Sequence, residues 1–190
     1  MDRRFITIVS GLPRSGTSMM MQVLEAGGIP PVTDNVRKPD EDNPRGYYEL
    51  ESVKRTRQAP SWLGEATGKA VKVVYRLVYD LPMDREYRVV FMKRSLREVI
   101  ASQNAMLRRR GQAVDGDEAD GLLDLFTEET ERFEQWTEMQ DCLSLLPVLY
   151  GDMIQRPGEQ VQRINEFLGG GLNESAMAAV VDPALYRHRE

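Results

Sequence analysis

A short β-branched run, Phe5-Ile6-Thr7-Ile8-Val9, feeds directly into Ser10-Gly11-Leu12-Pro13-Arg14-Ser15-Gly16-Thr17-Ser18, after which Met19, Met20, Val23 and Leu24 recur at helical spacing up to Gly27-Gly28. The run is too short for a helix and suits a buried strand, while the glycines and the proline demand a tight loop. A strand passing through such a loop into a helix opens an α/β fold with a parallel sheet. It also has a chemical consequence. The N–H groups of the loop and of the first helical turn converge on one spot, where an anion is stabilised.

The rest of the chain continues the alternation. Residues 31–69 hold several Pro and Gly amid charges and read as a lid or long connection with one short helix near Ser52 to Gln58. Strands are expected at Ala70–Tyr75 and Arg88–Met92, followed by a helix with Leu96, Val99, Ile100, Gln103 and Leu107 on one face. Residues 108–121 read as a mobile loop, and the pattern Leu122, Phe126, Phe133, Trp136, Gln140, Leu143 as the longest helix. Val148-Leu149-Tyr150 reads as a strand, and Pro157 opens a last helix closed by Gly169-Gly170-Gly171. The expected fold is three-layer α/β/α with a central, mostly parallel sheet, in a single P-loop type domain over 1–190.

Composition narrows the partners. The formal charge of −5 argues against nucleic acid, so any bound anion is held locally. One cysteine, Cys142, and one histidine, His188, make neither a disulfide nor a multi-histidine metal site, and the expected compartment is the reducing cytoplasm. No apolar run reaches the length a bilayer requires, and no membrane association is expected. A chain of 190 residues should bury about 70% of its unfolded surface, enough for one core.

The loop has the glycine spacing of G-x-x-x-x-G-K-S/T, but Thr17 stands where that motif has lysine. Triphosphate chemistry relies on that lysine and is disfavoured without it. Here the cation is Arg14, whose planar fork suits a phosphate or phosphosulfate without an obligatory metal. A second anion site is suggested where a strand ends at Lys93-Arg94-Ser95 and Ser102 follows in the next helix. Taken alone, that pair reads more readily as a surface arginine and a small packing residue than as an anion site.

Together, Pro13-Arg14-Ser15-Gly16-Thr17-Ser18, the pair Arg94 and Ser102, and Tyr150-Gly151-Asp152 resemble the sulfotransferase superfamily. The resemblance covers Thr7 to Leu24 and Lys72 to Leu107 well, and Val148 to Leu168 loosely. It implies transfer of a sulfonate from 3′-phosphoadenosine 5′-phosphosulfate (PAPS) to an acceptor, leaving adenosine 3′,5′-bisphosphate (PAP), with no metal. It implies that Pro13, Arg14, Ser15, Gly16, Thr17 and Ser18 hold the 5′-phosphosulfate, and that Arg94 and Ser102 hold the 3′-phosphate. Lys72, before Asp80-Leu81-Pro82, resembles the lysine of a K-T-H-L-P motif, but Val74 occupies the place of its histidine base.

A carboxylate is the substitute expected for that base. Glu49 is preferred because it follows Tyr47 and Tyr48, and Asp34 is the runner-up. Tyr47, Tyr48 and Trp62 fit either a ligand pocket or lid packing, and Arg108-Arg109-Arg110 either steers an anion or is a solvated loop. The C-terminal tail would supply Arg187 or Arg189 to the 3′-phosphate if it folds over the nucleotide. Two other readings are a nucleotide-dependent kinase with a degenerate loop and a silent nucleotide-binding module. The acceptor, a small molecule or glycan, and the oligomeric state are not legible.

Overall fold

A computed structural model describes residues 3–40, 43, 46–109, 111–112 and 119–182. Strand β1 (Ile6–Gly11) leads into helix α1 (Thr17–Ala26), and β2 (Pro31–Val32) follows it. Two 3₁₀ turns, Glu51–Arg55 and Ser61–Glu65, precede β3 (Ala70–Lys72) and the short α2 (Tyr75–Val78). Then come β4 (Tyr87–Lys93), α3 (Leu96–Arg109) and α4 (Ala119–Glu138). The chain goes on through β5 (Leu143–Leu149), α5 (Tyr150–Gln155), α6 (Pro157–Phe167) and α7 (Glu174–Val180).

The five strands form a parallel sheet in the order β2-β3-β1-β4-β5. Alternate residues of the central strands face opposite layers. Ile6 and Ile8 of β1 and Val89 and Phe91 of β4 pack with the 3₁₀ turns, α2, α3 and α4, whereas Val9, Val90 and Met92 pack with α1, α5, α6 and α7. The result is the expected three-layer α/β/α arrangement. Because β1 lies between β3 and β4, the chain leaves its carboxyl end toward one side while its neighbours feed the other, which opens a crevice there.

Several boundaries differ from expectation. The third strand stops at Lys72, and Val74, at φ −60 and ψ 138, opens α2, so Tyr75 is helical. The lid contributes the edge strand β2, where Pro31 has no N–H to give and Pro30 O instead accepts from Ala70 N at 2.9 Å. Helix α4 ends at Glu138, not Leu143. Leu143 starts β5, opposite Tyr87, whose N–H donates to Cys142 O at 2.8 Å. Tyr150, expected to close that strand, begins α5.

Of the loop expected at 108–121, Arg108 and Arg109 complete the last turn of α3, where cations suit the helix C-terminus, and Ala119 already lies in α4. Arg110 and residues 113–118 lie outside the described residues. Helix α7 was not foreseen. Asn173 caps it by accepting from Ala176 N at 3.1 Å, and Met177 packs against Gly27 at the end of α1.

Candidate active site

The loop after β1 turns twice into the left-handed region, at Arg14 (φ 72) and at Gly16 (φ 102), the N-cap of α1. For arginine this conformation carries about 1–3 kcal/mol of backbone strain, which the surrounding fold must sustain. Glycine is required at Gly16 for a second reason: a Cβ there would lie 2.5 Å from Tyr150 Cδ2. The first intrahelical bond runs from Met20 N to Gly16 O, so the amides of Thr17, Ser18 and Met19 precede it. Helix α1 has no acidic residue in its first turn and no side-chain cap. Backbone donors and helix dipole thus converge with no carboxylate in that turn to oppose an anion.

This loop forms one wall of a cavity of about 400 Å³ at the carboxyl ends of β1, β3 and β4. Pro13, Arg14, Gly16, Thr17 and Ser18 line it, as do Lys72, Glu49, Arg94 and Ser102. Arg14, Arg37, Lys72, Arg94 and Arg109 face Glu49 and Asp182, so a chain of net charge −5 carries here a local excess of cations. Such clustering raises the local concentration of anionic ligands.

Two groups of contacts organise the wall. On one side, Arg14 Nε donates to Ser102 Oγ at 3.0 Å, and Arg94 reaches Arg14 O from NH1 at 3.3 Å. The Arg94 guanidinium lies 4.7 Å from the Tyr150 ring centre, and its Nε donates to Glu98 Oε2 at 2.6 Å. The loop after β1 and the Arg94–Ser102 pair are therefore in direct contact. On the other side, Lys72 Nζ donates to Tyr47 O at 2.9 Å and Ser18 Oγ at 3.3 Å, and lies 4.0 Å from Glu49 Oε1. Burial pushes the Lys72 ammonium down to about 8, with Arg37 and Arg14 adding repulsion and Glu49 opposing it.

Glu49 has a different environment from the aromatic one expected. Arg37 NH1 donates to its Oε1 at 2.8 Å, and the same guanidinium covers the Tyr47 ring at 3.3 Å from its centre. Asp34 is not on the cavity wall. It is a local turn cap, accepting from Val36 N at 3.0 Å and Glu51 N at 2.6 Å, and these bonds hold its carboxyl below the usual range.

Ser15 also departs from expectation. Its N–H donates to Leu12 O at 3.2 Å, and its hydroxyl, buried with no hydrogen-bond partner among the described residues, belongs to a smaller neighbouring cavity of about 210 Å³. Trp62 packs in the lid and donates from Nε1 to Thr56 Oγ1 at 2.9 Å, while Tyr48 bonds Glu25; neither lines the main cavity. Arg187 and Arg189 lie outside the described residues.

Sequence reasoning missed Arg37, Asn43 and Glu98. Asn43 ties the lid to the loop, donating to Ser18 Oγ at 2.8 Å. Glu98 offered one signal, a carboxylate four residues after Arg94.

The profile of the sulfotransferase domain family matches residues 6–188. Among solved structures, the mouse sulfotransferase SULT7A1 complexed with PAP is 17% identical at a TM-score of 0.58 over 94% of this chain, which spans 62% of that protein. A sulfotransferase from Alicyclobacillus acidocaldarius is 15% identical at 0.53, covering 88% of this chain and 82% of its own. The sulfotransferase domain from the curacin biosynthetic pathway is 14% identical at 0.58, covering 100% and 93%. No curated protein matches. The structural neighbours share the fold, and the profile spans nearly all of the sequence: the chain belongs to the sulfotransferase domain family.

Proposed function

We propose that this protein transfers a sulfonate group from PAPS to an oxygen or nitrogen of an acceptor. The observation that carries the reading is the junction of two anion grips in one cavity: the amides of Thr17 and Ser18, and the pair Arg94 and Ser102, linked by the Arg14–Ser102 hydrogen bond. A ligand with phosphates at both the 5′ and 3′ positions of one ribose satisfies both grips. The cavity volume falls within the range of small-molecule sites. The mouse neighbour was solved with PAP bound, which supports the same nucleotide class here.

When bound, PAPS supplies the activated sulfonate and departs as PAP. The chain's residues divide the remaining work. The start of α1 binds the 5′-phosphate, and Arg14 and Lys72 place positive charge beside the transferring group, where charge builds up during displacement. Glu49, on the wall near Lys72, accepts the proton of the acceptor hydroxyl or amine. Val74, 41% exposed at the cavity, contributes shape and no acid–base chemistry in the place of the family's histidine. Among the described residues, no helix is long and apolar enough to cross a membrane. We place the protein in the cytoplasm, in keeping with its cysteine usage.

The test is transfer of labelled sulfonate from PAPS to a panel of sugars, phenols, amines and peptides, with PAP counted as coproduct. Wild type should yield PAP and labelled product in equal amounts. Glu49→Gln should lower transfer by roughly 10²- to 10³-fold, the scale of a general base, while PAP affinity changes less than about threefold. Tight PAP binding with no transfer to any acceptor would favour a silent binding module, and full activity in Glu49→Gln would remove that residue as the base.

A further inference from the structure

Arg94 and Glu98 form a buried ion pair beside the cavity, with relative side-chain exposures of 9% and 5% and an Nε to Oε2 distance of 2.6 Å. Arg94 lines the cavity, and Glu98 does not. A buried pair of this kind is weak evidence for stability, because the cost of taking both charges out of water can match their attraction. The place of this pair beside the cavity wall gives it a role other than stability.

Glu98 and Ser102 are separated by one turn of α3, so they share a face of that helix. Glu98 takes the Nε side of the Arg94 fork, Arg14 O lies at NH1, and the Tyr150 ring underlies the guanidinium plane. Three contacts from three segments fix a side chain that otherwise has several rotatable bonds. Ser102, on the same face, meets Arg14 from the phosphate loop.

We propose that Glu98 is a positioning residue that orients the Arg94 guanidinium for a ribose 3′-phosphate, and so sets the preference for a 3′-phosphorylated nucleotide over its 5′-monophosphate counterpart. The inference rests on the nucleotide reading above. Glu98 acts on the ligand through Arg94 and does not itself line the cavity. Charge and orientation predict opposite signs here. Removing the Glu98 carboxylate makes the wall more positive, which by itself strengthens the more highly charged ligand; losing the brace weakens the directed contact with the 3′-phosphate alone.

The experiment is calorimetric titration of wild type, Glu98→Gln, Arg94→Gln, Arg94→Lys and the double variant Arg94→Gln/Glu98→Gln with PAP and with 5′-AMP. Wild type should prefer PAP. In Glu98→Gln that preference should fall about tenfold, with 5′-AMP affinity held within about threefold, and the double variant should lose no more than Arg94→Gln alone. Arg94→Lys preserves the charge balance if Glu98→Gln does not fold; its single ammonium, drawn to Glu98, should lose the preference as fully as Arg94→Gln. An unchanged or larger preference in Glu98→Gln, additive losses in the double variant, or wild-type preference in Arg94→Lys would overturn the role of Glu98. Wild type showing no preference would instead overturn the nucleotide reading.

Discussion

Lys72 is held at 13% side-chain exposure between Tyr47 O and Ser18 Oγ, and its proton is correspondingly loose, at about 8 against an ordinary 10.5. Below pH 8 both the folded and unfolded chains keep that proton, and the folded state bears the cost of a buried ammonium. Between about 8 and 10.5 the unfolded chain holds the extra proton, so this group's contribution to stability rises with pH across that window. A polyanion in the cavity reverses the local balance by favouring the charged form. Binding of PAP at pH 8.5 is therefore accompanied by proton uptake, seen as a dependence of the apparent binding enthalpy on the buffer's ionisation enthalpy. Lys72→Met should abolish that dependence, and a buffer-independent enthalpy in wild type would contradict the placement of Lys72 beside the phosphates.

Among the elements, α4 packs on the sheet around a central ring, with Phe126 and Trp136 beside it and Glu134 paired to Lys93 of β4. Phe133 is fully buried, with centroid distances of 5.0 Å to Phe91, 6.0 Å to Tyr75 and 5.7 Å to Tyr79. Phe133→Ala leaves a cavity between α4, α2 and β4 and should cost about 3–5 kcal/mol, read from the urea midpoint. A loss below about 1 kcal/mol would show that α4 is not fastened to the sheet in this way. Where pattern and burial agree, elements were legible: β1, α1, β4 and α6 sit close to where their apolar spacing puts them. Leu143, Leu145 and Leu146 fit either period, and pairing with β4 rather than local pattern makes them a strand. The two-residue β2 and the short α7 depend on long-range partners, Ala70 and Gly27, that no local window contains.

For the whole molecule, an acidic surface and a basic cavity coexist because the cations are gathered by topology: Arg14 follows β1, Lys72 ends β3 and Arg94 follows β4. The positions after parallel strands are readable in sequence, so the loop after β1, Lys72, Arg94 and Ser102 stand out there, and the structure brings them to one cavity wall. The lid side was not readable. Arg37 and Asn43 arrive from a segment with little periodicity, and Asp34 and Ser15 look equivalent to true wall residues until local backbone hydrogen bonds are seen to use them.

The central claim is that one cavity grips both phosphates of a 3′,5′-bisphosphorylated adenosine, and it is tested most directly by titrating the folded wild-type protein with PAP and with 5′-AMP at one pH and salt concentration. The account predicts that PAP binds at least about tenfold more tightly, the effect of one further charge-assisted phosphate contact. Equal affinities, or no binding of PAP at millimolar concentration, would contradict it.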